Sequence, residues 1–462
     1  MNPSTIITDE LRDFGDRARS LRVASDVTSA EIRRRLERYT FAQQVPLVDS
    51  LRDVADMLQR WTLHATHPRY FGLFVPGVHD AGIWGDALVA LYNPQLGAWW
   101  HAPAANEIEG HTLRFLASVI GFEGDAAHFT SGGSEANLTA LLAAIAAGYP
   151  TAVADGVGEA AARGAVYVSS QAHHSIHKAV RVAGLGSRVL RVIPCTATHQ
   201  LDIVALRATV ADDVAAGRTP LMLVGTVGTT TAGAIDDLAA IADVARDSGA
   251  WFHVDAAWGG AGAFSARLRP YLHGMERADS LTWDAHKWLS VPMGAGMFFC
   301  RRAAVLRTMF DVEAAYVPEE SAEGEDLYLR SLQWSRRFIG LKVFLTLATI
   351  GRHGVAARID RQLDAADYLR QRLTSGGWVI VNHSPLPVVC FTHPSLTRRD
   401  ALPEIAREVA AGGRAWLSAA TLPEGPVLRA CITNDETTPT DVAVLCEELE
   451  RAMGRSVLRA GT

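Results

Sequence analysis

Lys287 sits between a histidine and a tryptophan in Trp283-Asp284-Ala285-His286-Lys287-Trp288, with apolar segments on either side. An ammonium in that company either reaches out to water or is desolvated. Desolvation favours the free amine, a nucleophile that condenses with aldehydes. A surface lysine closing a strand is the competing reading of the same hexapeptide. Other stretches bear on that choice. Thr130-Ser131-Gly132-Gly133-Ser134 ends an apolar run, and Glu135-Ala136-Asn137-Leu138 opens an alanine- and leucine-rich helix. Glycines and small hydroxyls at a helix N-terminus let backbone N–H groups approach an anion whose charge the helix dipole favours. The stretch is neither G-x-G-x-x-G nor G-x-x-x-x-G-K-[ST], so it suggests a phosphate and not a nucleotide. Ser-Gly-Gly is also a common turn and cap. His173 lies in Ser169-Ser170-Gln171-Ala172-His173-His174-Ser175 after one apolar run, and Asp255 closes another, Trp251-Phe252-His253-Val254.

An anion seat, a flat ring, a carboxylate and an amine are together what pyridoxal 5'-phosphate requires. A buried carboxylate at Asp255 and a protonated pyridine nitrogen would stabilise each other's charge and make the ring an electron sink. Taken singly, Asp255 also reads as a helix N-cap and His173 as a satisfied core histidine. All four on one chain, in this order, favour the cofactor.

Such residues need a scaffold that gathers distant strand ends. Ala165-Val166-Tyr167-Val168, Arg188 to Ile193, Pro220 to Val227, Trp251 to Val254 and Met297 to Cys300 are apolar runs alternating with helical patterns such as Leu238 to Ala245. This predicts a mostly parallel sheet covered on both faces. The polar residues, among them Gly228-Thr229-Thr230-Thr231, then fall at carboxyl ends of strands, where open α/β sheets bind ligands. Upstream, Leu36, Phe41, Val45, Val48, Leu51, Val54, Met57 and Leu58 recur at three- and four-residue steps, predicting a helical arm that packs on its own domain or on a partner subunit. His67 to Gly77 is aromatic and bounded by Pro68 and Pro76, hence extended or a loop, its aromatics a pocket wall or plain packing. Trp99 and Trp100 pose the same choice ahead of a helix starting near Ala104. Glu313 to Tyr328 is acidic and poor in aliphatics and reads as a mobile loop. A long helix is expected around Arg336 to Lys342, and a domain boundary near Gly351 to Val355.

The whole chain, 462 residues with 48% hydrophobic and 20% charged, suits a soluble protein of two or three domains. Its 44 basic and 50 acidic residues form no basic stripe, which argues against a nucleic-acid partner. Five scattered cysteines without a C-x-x-C pair fit a reducing compartment, the cytoplasm, and suggest no metal site. The polar N-terminus and short apolar runs suggest neither a signal peptide nor a membrane span.

FTSGGSEANL, SSQAHHSIHKA, HVDAAW and DAHKW resemble, in that order, the phosphate-loop, stacking-histidine, pyridinium-aspartate and Schiff-base blocks of the group II pyridoxal-phosphate-dependent decarboxylases. That family includes the aromatic-L-amino-acid, tyrosine, histidine and glutamate decarboxylases. The separation of Asp255 from Lys287 also matches the family, and the similarity runs from about His67 to LRACITNDETT. The resemblance implies a fold-type I, aminotransferase-like α/β fold: a helical N-terminal arm (1–75), a large cofactor-binding domain (76–352) and a small α+β C-terminal domain (353–462). It places Gly133 and Ser134 at the phosphate, His173 on the ring, Ala257 on the opposite face, Thr230 and His286 near the cofactor, Asp255 at the ring nitrogen and Lys287 at the aldehyde. Lys287, His173 and Tyr328 form the implied catalytic set. Tyr328, aligned across a one-residue gap, corresponds to the loop tyrosine that returns a proton after carbon dioxide leaves. Phe74, Pro76 and Trp99 are the implied substrate-pocket walls.

Two positions depart from the family. Asp284 stands where many relatives carry asparagine near the phosphate, and because a second anion there is costly its side chain is expected to point elsewhere. Gly77 replaces a small hydroxyl residue of the aromatic decarboxylases. The implied activity is decarboxylation of an L-amino acid, aromatic or bulky and apolar, to the amine and carbon dioxide through a Lys287 Schiff base and a quinonoid. Arg69 would argue for an acidic substrate if it faced the pocket. The implied assembly is a cytoplasmic homodimer acting on a small molecule, with no nucleic-acid or membrane partner. An aldehyde-forming decarboxylative deaminase or another carbon–carbon lyase is the alternative on this scaffold. A non-catalytic cofactor-binding regulator is the alternative from another class, opposed by the presence of Lys287 and the lack of a basic recognition helix.

Overall fold

The strands, in chain order, are β1 (Tyr70–Phe71), β2 (Ala126–Thr130), β3 (Gly164–Ser169), β4 (Leu190–Ile193), β5 (Thr219–Thr226), β6 (Trp251–Asp255), β7 (Ser280–Asp284), β8 (Gly296–Cys300), β9 (Val379–Ile380), β10 (Val388–Thr392), β11 (Trp416–Leu422) and β12 (Gly425–Cys431). They are seen in a computed structural model that describes residues 3–312, 324–396, 398 and 401–460. Five helices matter below: α1 (Leu47–Trp61), α2 (Asp80–Tyr92), α3 (Gly133–Gly148), α4 (His174–Val182) and α5 (Gly340–Ser375). The chain divides into a larger unit, Val78–Arg361 with Asn382–Leu386, and a smaller one built from the residues up to Gly77, Gln362–Val381 and Pro387 onward.

The larger unit carries a seven-stranded sheet in the order β2-β8-β7-β6-β5-β3-β4. β4, β3, β5, β6 and β7 run parallel, and β8 runs antiparallel to both of its neighbours. This is the mostly parallel sheet that the apolar runs predict. β3, β6 and β7 are buried along their whole length, as expected of strands covered on both faces. α3 supplies part of that cover. Its Ala136, Ala140, Leu141, Ala144 and Ile145 are buried with Val166 and Val168 of β3 and Met222 and Val224 of β5. Because the strands are parallel, Asp255 and Asp284, the last residues of adjacent β6 and β7, emerge at the same end of the sheet.

In the smaller unit a five-stranded sheet has the order β1-β11-β12-β10-β9. Here the expected separation of an N-terminal arm from a C-terminal domain needs correction. β1 pairs in parallel with β11 through Tyr70↔Trp416, and those two rings stack with centroids 5.2 Å apart. Residues up to Gly77 are therefore part of the smaller unit, joined by a pairing between strands too distant in sequence to leave a local signal. The division falls after Arg361, inside α5, and not at 352, although Gly351 does interrupt that helix with φ 66°. The expected helical pattern through Leu36, Phe41 and Val45 also breaks: Phe41 has φ 59° and is 94% exposed, between the helix Ser29–Leu36 and α1. Arg336 to Ile339 precede α5 and are not helical. Buried Arg336 instead donates to the Phe129 carbonyl and to Ser331 Oγ, and lies 3.7 Å from Glu109. Most of the acidic loop expected over Glu313 to Tyr328, residues 313–323, lies outside the described residues.

Candidate active site

β7 ends at Asp284, and the turn that follows carries His286 and Lys287. Lys287 Nζ lies 2.9 Å from Asp284 Oδ2, with 23% of the lysine side chain exposed. The Lys287 amine is thus held by a carboxylate in place of the isolated, desolvated amine that its neighbours in sequence suggest. Asp284 does not point elsewhere, as expected from the sequence, but into the site. Its Oδ2 would lie 2.9 Å from a Cβ placed on Gly133, and that Cβ would also come within 3.2 Å of Ala257 Cβ. A side chain at 133 would fill this space, so glycine is required for the close approach. Asp284 Oδ1 is buried and has no hydrogen-bond partner among the described residues, which makes it an orphaned polar atom next to the start of α3. No side chain caps that helix end at Gly132. Uncapped N–H groups at the start of a sixteen-residue helix are able to receive an anion.

Asp255 is buried at the end of β6. Its Oδ1 accepts from the Ala257 N–H at 3.1 Å and its Oδ2 from Asn137 Nδ2 at 2.9 Å. Ala257 in turn accepts from the Asp284 N–H at 3.0 Å, tying the two aspartates through one short segment. His173 caps α4, its Nδ1 accepting from the Ser175 N–H at 3.2 Å. Burial lowers the His173 pKa below the ordinary histidine value, more than the neighbouring Asp255 carboxylate raises it. His286 is lowered by burial as well. Its Nδ1 accepts from the Ala295 N–H, and its Nε2 lies 3.8 Å from Asp284.

The structure therefore gathers Gly133, Ala257, Asp284, His286 and Lys287, with His173 and Asp255 joined to them by contacts and electrostatics. Ser134 is exposed on the first turn of α3, and Thr230 is exposed in the turn after β5, while its neighbour Thr229 is buried. Tyr328 lies in a single 3₁₀ turn and packs on Trp334, with ring centroids 4.6 Å apart. The Trp99 N–H donates to Asp326 and its indole to Glu107. Phe74 and Pro76 belong to the smaller unit, where Phe74 lies under the Arg429 guanidinium and Pro76 is buried. Arg69, in the same unit, is paired with the buried Asp441 at 3.0 Å. Sequence reasoning missed Asn137 and Ser175. The available signal was an asparagine on the buried face of α3, in register with Gly133, Ala136 and Ala140.

An uncapped helix N-terminus, a glycine cradle and a lysine at a strand end suit pyridoxal phosphate, and with this sheet they define a fold-type I pyridoxal-phosphate enzyme. Residues 32–393 match the family model described as pyridoxal-dependent decarboxylase conserved domain. The chain is 32% identical over 391 residues to the aromatic-L-amino-acid decarboxylase of Bacillus atrophaeus, covering 82% of this chain and 80% of that one. It is 36% identical over 282 residues to L-2,4-diaminobutyrate decarboxylase of Rhizobium meliloti, covering 60% of this chain and 55% of the relative. The crystal structure of Oryza sativa TDC with PLP and tryptamine superposes with a TM-score of 0.91 at 25% identity, covering 98% of this chain and 97% of that one. The chain belongs to the pyridoxal-dependent decarboxylase family, and it is a pyridoxal-phosphate-dependent carboxy-lyase acting on an amino acid.

Proposed function

We propose that the enzyme decarboxylates an L-amino acid with an aromatic or bulky apolar side chain, using Lys287, His173 and Asp255 at the ends of β7, β3 and β6. The observation that supports the assignment of residues is the position of Asp284 Oδ2, 2.9 Å from Lys287 Nζ and 2.9 Å from where a Cβ on Gly133 would stand. Pyridoxal phosphate supplies, when bound, an aldehyde that condenses with amines and a ring that takes up the electron pair released with carbon dioxide. The N–H groups at the start of α3, with Gly133 and Ser134, would hold its phosphate. Asp255, its two oxygens each fixed by a donor, would sit at the ring nitrogen. Ala257 and His173 would flank the ring. Asp284, 2.9 Å from Lys287 Nζ, is within reach to exchange a proton with that amine. Tyr328 remains the proposed donor to the α-carbon.

For the side chain, the similarity to an aromatic-L-amino-acid decarboxylase supports the aromatic reading. So does the engagement of Arg69 by Asp441, which occupies the cation that would otherwise have favoured an acidic substrate. We further infer a cytoplasmic homodimer. α2 exposes Trp84, Leu88, Leu91 and Tyr92 along one face, with Leu91 and Tyr92 74% and 77% exposed, an apolar stripe suited to a second copy. The five free cysteines fit a reducing compartment. Turnover of a panel holding tryptophan, tyrosine, phenylalanine, aspartate and 2,4-diaminobutyrate, with product identification, tests the reading. Amine and carbon dioxide from the aromatic members are expected. Preference for the charged members would overturn the side-chain class, and release of ammonia with peroxide would overturn the simple decarboxylation.

A further inference from the structure

One amide in α3 connects the two side chains assigned to the cofactor ring. Asn137 is buried, with Nδ2 2.8 Å from Ser175 Oγ and 2.9 Å from Asp255 Oδ2, and with Oδ1 3.0 Å from His253 Nε2. Chemistry fixes the direction of each bond. A carboxylate only accepts, so the NH2 faces Asp255 and spends its second hydrogen on Ser175. An inverted amide would set oxygen against oxygen and leave buried groups unpaired. With Oδ1 turned to His253, Nε2 of that ring must carry the proton. Burial keeps the imidazole neutral, its pKa lowered to about 4. His253 Nδ1 is then bare and accepts from Ser280 Oγ at 2.8 Å, which itself accepts from the Trp251 indole N–H. On the other arm, Ser175 Oγ has accepted from Asn137 and donates to His173 Nδ1 at 2.8 Å, beside the Ser175 N–H. His173 consequently carries its proton on Nε2.

We propose that Asn137 is a positioning residue for the cofactor ring, a single buried amide, anchored by His253, that holds Asp255 as an acceptor for the ring nitrogen and His173 as the Nε2–H tautomer. The proposal rests on the reading of Asp255 as the partner of that nitrogen. Asn137→Asp keeps the shape and removes both donors. It sets two carboxylates 2.9 Å apart, where they share a proton, and draws the Ser175 hydroxyl away from His173.

The test compares binding of pyridoxine 5'-phosphate, which has no aldehyde for Lys287, with that of its 1-deaza analogue, in which C–H replaces the ring nitrogen. Wild-type protein freed of cofactor is expected to prefer the first by about tenfold or more. In Asn137→Asp the preference should fall to about one, with analogue binding within about threefold of wild type. Absence of any preference in the wild type overturns the assignment of Asp255. A variant that retains the wild-type preference overturns the role of Asn137. Should the variant not fold, ¹⁵N NMR of the wild-type imidazoles decides. His253 protonated at Nε2 and bare at Nδ1 is expected, and the reverse tautomer, which needs the amide inverted, overturns the proposal.

Discussion

Two buried aspartates, one in each unit, are treated differently. Asp441 in the smaller unit is surrounded: Arg69 and Arg19 reach its carboxylate, and Thr438 donates to it through both N–H and hydroxyl. Asp284 in the larger unit has Lys287 on one oxygen and nothing hydrogen-bonded to the other among the described residues. A buried charge costs several kcal/mol unless it is paired and fully hydrogen-bonded, so Asp441 is what a settled structural carboxylate looks like. The incomplete shell of Asp284, beside an uncapped helix end, marks a place organised for something the polypeptide does not itself supply. The contrast is one between these two carboxylates: Asp441 is enclosed by donors, and Asp284 keeps one buried oxygen open.

The strongest break of this contrast is at Lys287. Lys287→Ala should abolish the absorbance of cofactor linked to the lysine and lower turnover by roughly a thousandfold or more, since it removes the amine held at Asp284. A variant that keeps the absorbance removes Lys287 from the assignment. In the smaller unit, by contrast, the sensitive group is a structural histidine. His67 is buried, and its pKa is lowered to about 4, first by burial and then by Arg69. The unfolded chain binds a proton near the ordinary value of 6.5 that the folded chain refuses until about 4, so stability is intact above 6.5 and falls as pH drops through that window. Urea unfolding at pH 7 and 5 should show a loss that His67→Gln reduces by about 2 kcal/mol. An unchanged loss would mean that His67 does not resist protonation.

Gly133→Ala sharpens the comparison at the cradle. Its Cβ would meet Asp284 Oδ2 at 2.9 Å and Ala257 Cβ at 3.2 Å, and one of them must move. Cofactor affinity, measured by dialysis, is expected to fall by about tenfold, corresponding to ~1–3 kcal/mol of overpacking. Unaltered affinity would show that the segment yields freely and that the glycine is incidental.

Much of this was legible in the residues. The central strands stood out because parallel strands buried on both faces read as continuous apolar runs, and Asp255 and Lys287 stood out because they interrupt that pattern at strand ends. β1 was not legible. A two-residue strand pairing with Trp416 and Leu417 has no local period, so the smaller unit's membership could not be read from either segment alone. Asn137 was hidden for another reason: its side chain type is common, and only the fold shows that it faces Asp255, His253 and Ser175 together. Asp284 was noticed and misdirected. Its partner Lys287, 2.9 Å away, belongs to a turn whose shape the sequence does not disclose.

Asp284→Asn is the mildest change and bears most directly on the two aspartates. Removing one negative charge near the phosphate seat relieves repulsion between charges a few ångströms apart, which even in a well-screened site amounts to more than 1 kcal/mol. The substitution also frees Lys287 from its 2.9 Å partner. If repulsion dominates, the dissociation constant for pyridoxal phosphate should drop by about tenfold, and the gain should shrink as salt rises. If holding the lysine dominates, the variant should instead bind inorganic phosphate more tightly but take up cofactor more slowly, separating the two effects in a single pair of titrations. The comparison fails if neither affinity nor rate changes, for then the orphaned oxygen would be as settled as those of Asp441.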